Sequence, residues 1–176
     1  MAIIKEIRGL KPNIGKNCFI AETAAIIGEV TMGDNCSIWY STVLRGDVNS
    51  ITIGDNVNIQ DGTVVHTLYQ RSATTIGNNV SIGHNTTIHG ATIQDNCLIG
   101  MGATVLDNAV IESGAIVAAG ALIPSGMRVE GRAIYAGVPA KKIKDVSPEQ
   151  QREIIERIAN DYIMYASWYK DGTENR

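Results

Sequence analysis

A step of six residues runs through most of this 176-residue chain. Aliphatic side chains stand at Ile14, Ile20, Ile26, Met32, Ile38 and Leu44, then at Ile53, Ile59 and Val65, then at Ile76, Ile82 and Ile88. A last run carries Ile93, Ile99, Val105, Ile111, Val117, Ile123 and Val129. A helix needs apolar residues three and four apart, which this spacing does not supply. Two residues before most of these positions is a small or β-branched side chain, as in Cys36/Ile38, Val57/Ile59 and Ala103/Val105. Positions two apart on a strand share a face, so each hexad offers one small and one large inward side chain. Between the hexads lie Gly-Asp-Asn, Gly-Asn-Asn or Ser-Gly, which suit tight corners. One such short strand cannot bury its apolar side alone, whereas stacked turns can. The spacing predicts an all-β solenoid. Composition agrees, because 44% of residues are hydrophobic and yet there is one Phe, as expected of a narrow aliphatic core.

The hexads resemble the hexapeptide-repeat family over roughly residues 10 to 140. That resemblance implies a left-handed parallel β-helix of triangular section, with three hexads to a coil. Cys18, Cys36 and Cys97 fall in the small inward slot, so they read as reduced packing residues. The tail differs in kind. Ser147 suits a helix N-cap, Pro148 the first helical position, and Gln150 completes a capping-box pattern. Ile154, Ile155, Ile158, Tyr162, Tyr165, Ala166 and Tyr169 then recur at helical spacing. The expected organisation is a β-helix over 1–146, a C-terminal helix over 147–170 packed on it or on a neighbouring subunit, and a flexible tail over 171–176.

The formal charge of -3 gives no electrostatic reason to expect nucleic acid or an anionic membrane as partner. The N-terminal "MAIIKEIRGL" is broken by charges before an apolar core of a signal peptide forms. A cytoplasmic protein acting on small molecules is the expectation.

The three histidines of the chain, His66, His84 and His89, all lie in one short window. Without insertions a coil takes eighteen residues, and five extra residues lie between Val65 and Ile76. His66 and His89 are 23 residues apart, one coil plus that insertion, and each follows an inward aliphatic. They are therefore expected to stack on neighbouring coils about 4.8 Å apart, pointing outward. Arg45, placed likewise after Leu44, joins the column one coil earlier. His84 falls near a different corner. It is expected to reach the same metal from a neighbouring subunit, most simply in a homotrimer. Three histidines leave one position of a tetrahedral zinc open, the mark of a catalytic site.

The segments "LRGDVNSITIGDNVNIQDGTVVH", "IGHNTTIHG" and "IGMGATV" resemble the gamma-class carbonic anhydrases. The resemblance puts metal ligands at His66, His84 and His89, the second from the adjacent subunit. It puts an interface pair at Arg45 and Asp47, active-site amides at Asn58 and Gln60, and an active-site tyrosine at Tyr162. It implies Zn2+, with Fe2+ or Co2+ as substitutes, and the hydration of carbon dioxide to bicarbonate. Gln60, on a column expected to be exposed, would orient hydroxide or substrate, with Asn58 holding it. The sequence departs from the active members at Val48, where they carry glutamate, and in loop 67–75, which has no acidic proton shuttle. Proton transfer would then depend on buffer. Alternative readings are an acyl-CoA thioesterase using a basic cleft near Arg71, Lys141 and Lys142, a hexapeptide acyltransferase, and a non-catalytic trimer stabilised by metal.

Overall fold

The computed structural model describes residues 1–170; the tail expected over 171–176 lies outside the described residues. The chain winds as a left-handed parallel β-helix with three flat faces. One face stacks Phe19–Ile20, Ser37–Ile38, Asn58–Ile59, Ser81–Ile82, Leu98–Ile99 and Ile116–Val117. The other two join into one sheet because Ala25–Met32 and Val43–Ile53 run unbroken round the corner between them.

The predicted inward residues form the core. Leu44, Val65, Ile88, Val105 and Ile123 stand in one register column, and all five are buried. Ile14 and Ile20 are only partly buried, since they belong to the terminal coil, which has a neighbour on one side. Cys36 and Cys97 are buried and Cys18 partly so, all three as free thiols.

Polar side chains fix the corners. Asn17, Asn35, Asn56, Asn79 and Asn96 adopt left-handed backbone angles, a conformation asparagine tolerates better than most residues. Beside them Asp34, Asp55, Asn78 and Asp95 each accept a backbone N–H from the preceding coil at 2.6–2.8 Å. The repeated Gly-Asp-Asn thus ties each coil to the next as well as turning the chain.

After the hairpin of Ala133–Gly137 and Ala140–Asp145, the chain turns into helix. Ser147 Oγ accepts from the Gln150 N–H, and the Gln150 side chain accepts from the Ser147 N–H. The predicted capping box therefore forms. Gln151–Glu156 is wound as a π-helix before the regular helix Arg157–Lys170. That helix lies across the face carrying Phe19–Ile20, Ser37–Ile38 and Asn58–Ile59. Ile155 of the π-helix and Ala159 and Ala166 of the regular helix are buried. No helix among the described residues is long and apolar enough to cross a membrane.

Candidate metal centre

The register expected for two of the histidines is the one observed. Strands Val64–His66 and Thr87–His89 pair in parallel with His66 opposite His89. Val65 and Ile88 point inward and are fully buried, so the alternation of the strand sends both imidazoles outward at the corner. There His66 Nδ1 lies 3.2 Å from His89 Nε2.

Each ring is also gripped from behind. His66 Nε2 contacts Asp47 Oδ1 at 3.1 Å, and His89 Nδ1 contacts Asp107 Oδ1 at 2.9 Å. Carboxylates accept, so each of these nitrogens carries the proton. Burial, assisted by the nearby Arg45 charge, holds the His66 pKa below its ordinary value against the pull of Asp47. With those ring nitrogens turned to aspartate, His66 Nδ1 and His89 Nε2 face each other at hydrogen-bonding distance. They can share one proton or, when both are unprotonated, turn their lone pairs to a metal ion. Two nitrogens about 2.0–2.1 Å from a tetrahedral ion stand roughly 3.3–3.4 Å apart. The donor set fits a divalent metal.

Supporting groups complete this corner. Arg45 Nη1 donates to Asp47 Oδ2 at 2.7 Å within the same chain. Burial raises the Asp47 carboxyl, but hydrogen bonds from Arg45 and His66 outweigh it and leave the pKa below the ordinary value. Asp107 is likewise lowered, since the bonds from Ser72 and His89 outweigh its burial. Ser72, in the loop after His66, donates to the Asp107 oxygen that also contacts His89. Gly90 makes that approach possible. Its φ is +59°, and a Cβ there would overlap Ser72 Oγ and Asp107 Oδ1.

His84 belongs to the next corner round the prism, where the helix-bearing face meets the histidine face. Its Nδ1 pairs with Asp61 Oδ2 at 2.9 Å, leaving Nε2 for another partner. Asn58 and Gln60 are on this side as well. Gln60, expected on an exposed column, is instead buried, as is Asn58. The cause is tertiary, because Ile154 and Ile158 of the C-terminal segment line the same hollow as Gln60 and Gly83. Gln60 Nε2 donates to Asn58 Oδ1 at 3.0 Å, and Asn58 Nδ2 donates to Ser81 Oγ at 2.7 Å. Tyr162 packs edge-on against Trp39 with ring centroids 5.4 Å apart. Burial and the Asp61 charge push its phenol up to about 12, so at neutral pH it is a donor.

The structure thus brings together Arg45, Asp47, His66 and His89 at one corner and Asn58, Gln60, His84 and Tyr162 near another. Within one chain, no three His, Cys, Asp or Glu side chains among the described residues are gathered to hold a metal. The basic residues do not form one cleft. Arg71 is in the loop after the histidine strand, whereas Lys142 is held by Glu130 and Asp145 on the terminal hairpin. Sequence reasoning missed Asp61, Asp107 and Ser72. The coil arithmetic contained a signal for two of them: Asp107 follows His89 by 18 residues, and Asp61 precedes His84 by the His66-to-His89 interval.

Comparison with known proteins agrees with this architecture. A family model described as bacterial transferase hexapeptide (six repeats) matches residues 11–46 and 90–125. Protein YrdA of Escherichia coli is 36% identical over 175 residues, covering 96% of this chain and 95% of YrdA. A carbonic anhydrase of Geobacillus kaustophilus is 38% identical over 168 residues, covering 96% of this chain and 91% of the relative. A Bacillus cereus crystal structure, described as a candidate acetyltransferase, superposes with a TM-score of 0.94 at 36% identity, covering 98% of this chain and 99% of its own. With relatives of this identity and coverage, the chain belongs to the gamma carbonic anhydrase-like hexapeptide-repeat proteins.

Proposed function

We propose that this protein is a metal-dependent, gamma carbonic anhydrase-like enzyme that hydrates carbon dioxide reversibly at a site shared between subunits. The observation that carries the reading is the common arrangement of the histidines. Each has one ring nitrogen on an aspartate, a device that fixes the ring and its tautomer and raises its strength as a ligand. In a head-to-tail ring of copies, the corner carrying His66 and His89 meets the neighbour's corner carrying His84. A homotrimer is the simplest such ring.

Bound Zn2+, or Fe2+ or Co2+, would supply a hydroxide nucleophile at neutral pH by lowering the pKa of water from about 15.7 to about 7. The chain's own residues do the rest. Asp47, Asp61 and Asp107 hold the rings, with Arg45 and Ser72 holding two of those carboxylates. The Asn58–Gln60 chain fixes an amide beside the His84 corner, where it orients substrate oxygens by hydrogen bonds. Tyr162 offers a phenol that stays protonated. Loop 67–75 contains no acid, so proton removal falls to external buffer.

The test is stopped-flow hydration of carbon dioxide by anaerobically purified protein whose metal content is measured in the same sample. A metal-dependent rate that rises with buffer concentration is expected. No rate at full metal occupancy would overturn the reading. The Bacillus cereus likeness favours acyl transfer as a second reading, and product formation from acetyl-CoA by metal-free protein would establish it.

A further inference from the structure

Six of the chain's nine aromatic residues line one hollow of about 320 Å³ between the C-terminal helix and the β-helix. They are Trp39, Tyr40, Tyr162, Tyr165, Trp168 and Tyr169, and among the described residues Asp61 completes the lining. The rings meet at angles rather than in a flat stack. Trp39 and Tyr169 are edge-on at 5.5 Å, Tyr162 and Tyr165 at 5.4 Å, and Tyr165 and Trp168 are tilted at 5.1 Å. Anchoring the helix does not account for all of them. Phe19, Ala21, Trp39 and Ala166 are the buried members of that contact, whereas Trp168 and Tyr169 remain 57% and 52% exposed.

Among the described residues the charge at the hollow has one sign. Asp61 is 42% exposed and uses Oδ2 for His84, which leaves Oδ1 as an acceptor at the rim. Glu22 adds a second carboxylate beside Tyr40. Among the described residues no Lys or Arg lines the hollow, and Lys170 donates to the Asn17 carbonyl. Aromatic faces carry the negative part of the ring quadrupole and attract cations, most strongly those with a thin hydration shell. Lysine-like ammonium ions hold their water tightly, but methylated ammonium ions give it up easily and fill apolar space. We propose that this hollow is a binding site for small organic cations of the quaternary or methylated ammonium class, with the aromatic rings as its walls and Asp61 as its counter-ion. Every one of these groups comes from a single chain; the site shares Asp61 and Tyr162 with the carbon dioxide reading but does not rest on it.

Both tryptophans of the chain, Trp39 and Trp168, line the hollow, so intrinsic fluorescence reports on it directly. Choline chloride titrated into the full-length protein at constant ionic strength is expected to give a saturable change, with a midpoint in the millimolar range or below. Sodium chloride is expected to give none. The neutral isostere 3,3-dimethylbutan-1-ol should bind at least about tenfold more weakly, because it keeps the shape and loses the charge. Trp168→Leu keeps apolar area at an exposed position and should weaken choline roughly fivefold or more, with Trp39 as the remaining reporter. Asp61→Asn should weaken it as well. Absence of a saturable choline response would overturn the proposal. So would equal binding of the alcohol, or a Trp168→Leu variant that binds choline as the parent does.

Discussion

The two histidine corners of the prism are built by different means. At the corner of His66 and His89, backbone register does the work: opposed residues on adjacent coils bring the two nitrogens to 3.2 Å, and residues one coil away on either side hold the rings. At the corner of His84, a single histidine rests on Asp61, and its surroundings come from a helix about eighty residues later in the chain. A repeat can stack like on like, so it makes a pair readily. It cannot by itself bring two different corners together, which requires either another element or another copy of the chain.

The sharpest way to break this contrast is His84→Ala. His84 is outside the buried core, so circular dichroism should be unchanged, while metal measured by elemental analysis and any hydration of carbon dioxide should be abolished. Retention of metal at parental occupancy would mean that the paired corner suffices, and the shared-site reading would fall. Next in size are the carboxylates behind the rings. Asp107→Asn and Asp61→Asn should each cost about 10–100-fold in metal affinity, as losses behind a metal-bound histidine generally do. Equal losses would place the two corners on one metal, whereas a loss confined to Asp107→Asn would separate them.

A smaller effect is expected in the pH dependence of thermal stability of the metal-free protein. Asp47 and Asp107 have folded pKa values below the ordinary one, so the unfolded chain takes up their protons first as acid is added. Their contribution is present above about 3.9, the unfolded value, and is lost as pH falls through the lower folded values. The folded pKa of His66 is also lowered. Its contribution is present above about 6.5 and is lost over the window between that value and the folded one. Thermal denaturation should therefore show a shallow loss starting near pH 6.5 and a second in the carboxylate range. Asp107→Asn should flatten the second at the expense of overall stability, and an unaltered acid limb would show that the corner is not held as described. The smallest effect concerns Tyr162→Phe, which should leave metal content unchanged, shift stability by no more than about 0.5 kcal/mol, and lower kcat severalfold. An unchanged kcat would leave Tyr162 as a helix anchor only.

Much of this was legible in the sequence because the repeat is local. The six-residue step marks Val65 and Ile88 as inward, and the residue after each is then outward by strand alternation. Counting the inserted residues put His66 over His89, and the same count applied to aspartates would have found Asp61 and Asp107. Ser72 had no such signal, since its loop has no repeat and its contact with Asp107 spans 35 residues. Gln60 was misplaced for a related reason. Its column is outward, as strand alternation requires, but its neighbours there are Trp39 and Gly83, burial depends on what covers the face, and the covering helix enters no hexad count.

The sequence by itself determined the solenoid, its inward columns, its corners, the capped helix and the stacking of two histidines, because each depends on strand alternation or on contacts one coil apart. Only the tertiary structure decided which face the helix covers, that Asn58 and Gln60 lie beneath it, and that six aromatic residues from distant segments enclose a hollow beside Asp61. Those outcomes depend on how a non-repeating element docks on a repeating one. Side-chain shape and buried area govern that docking, and no periodicity in the chain encodes it.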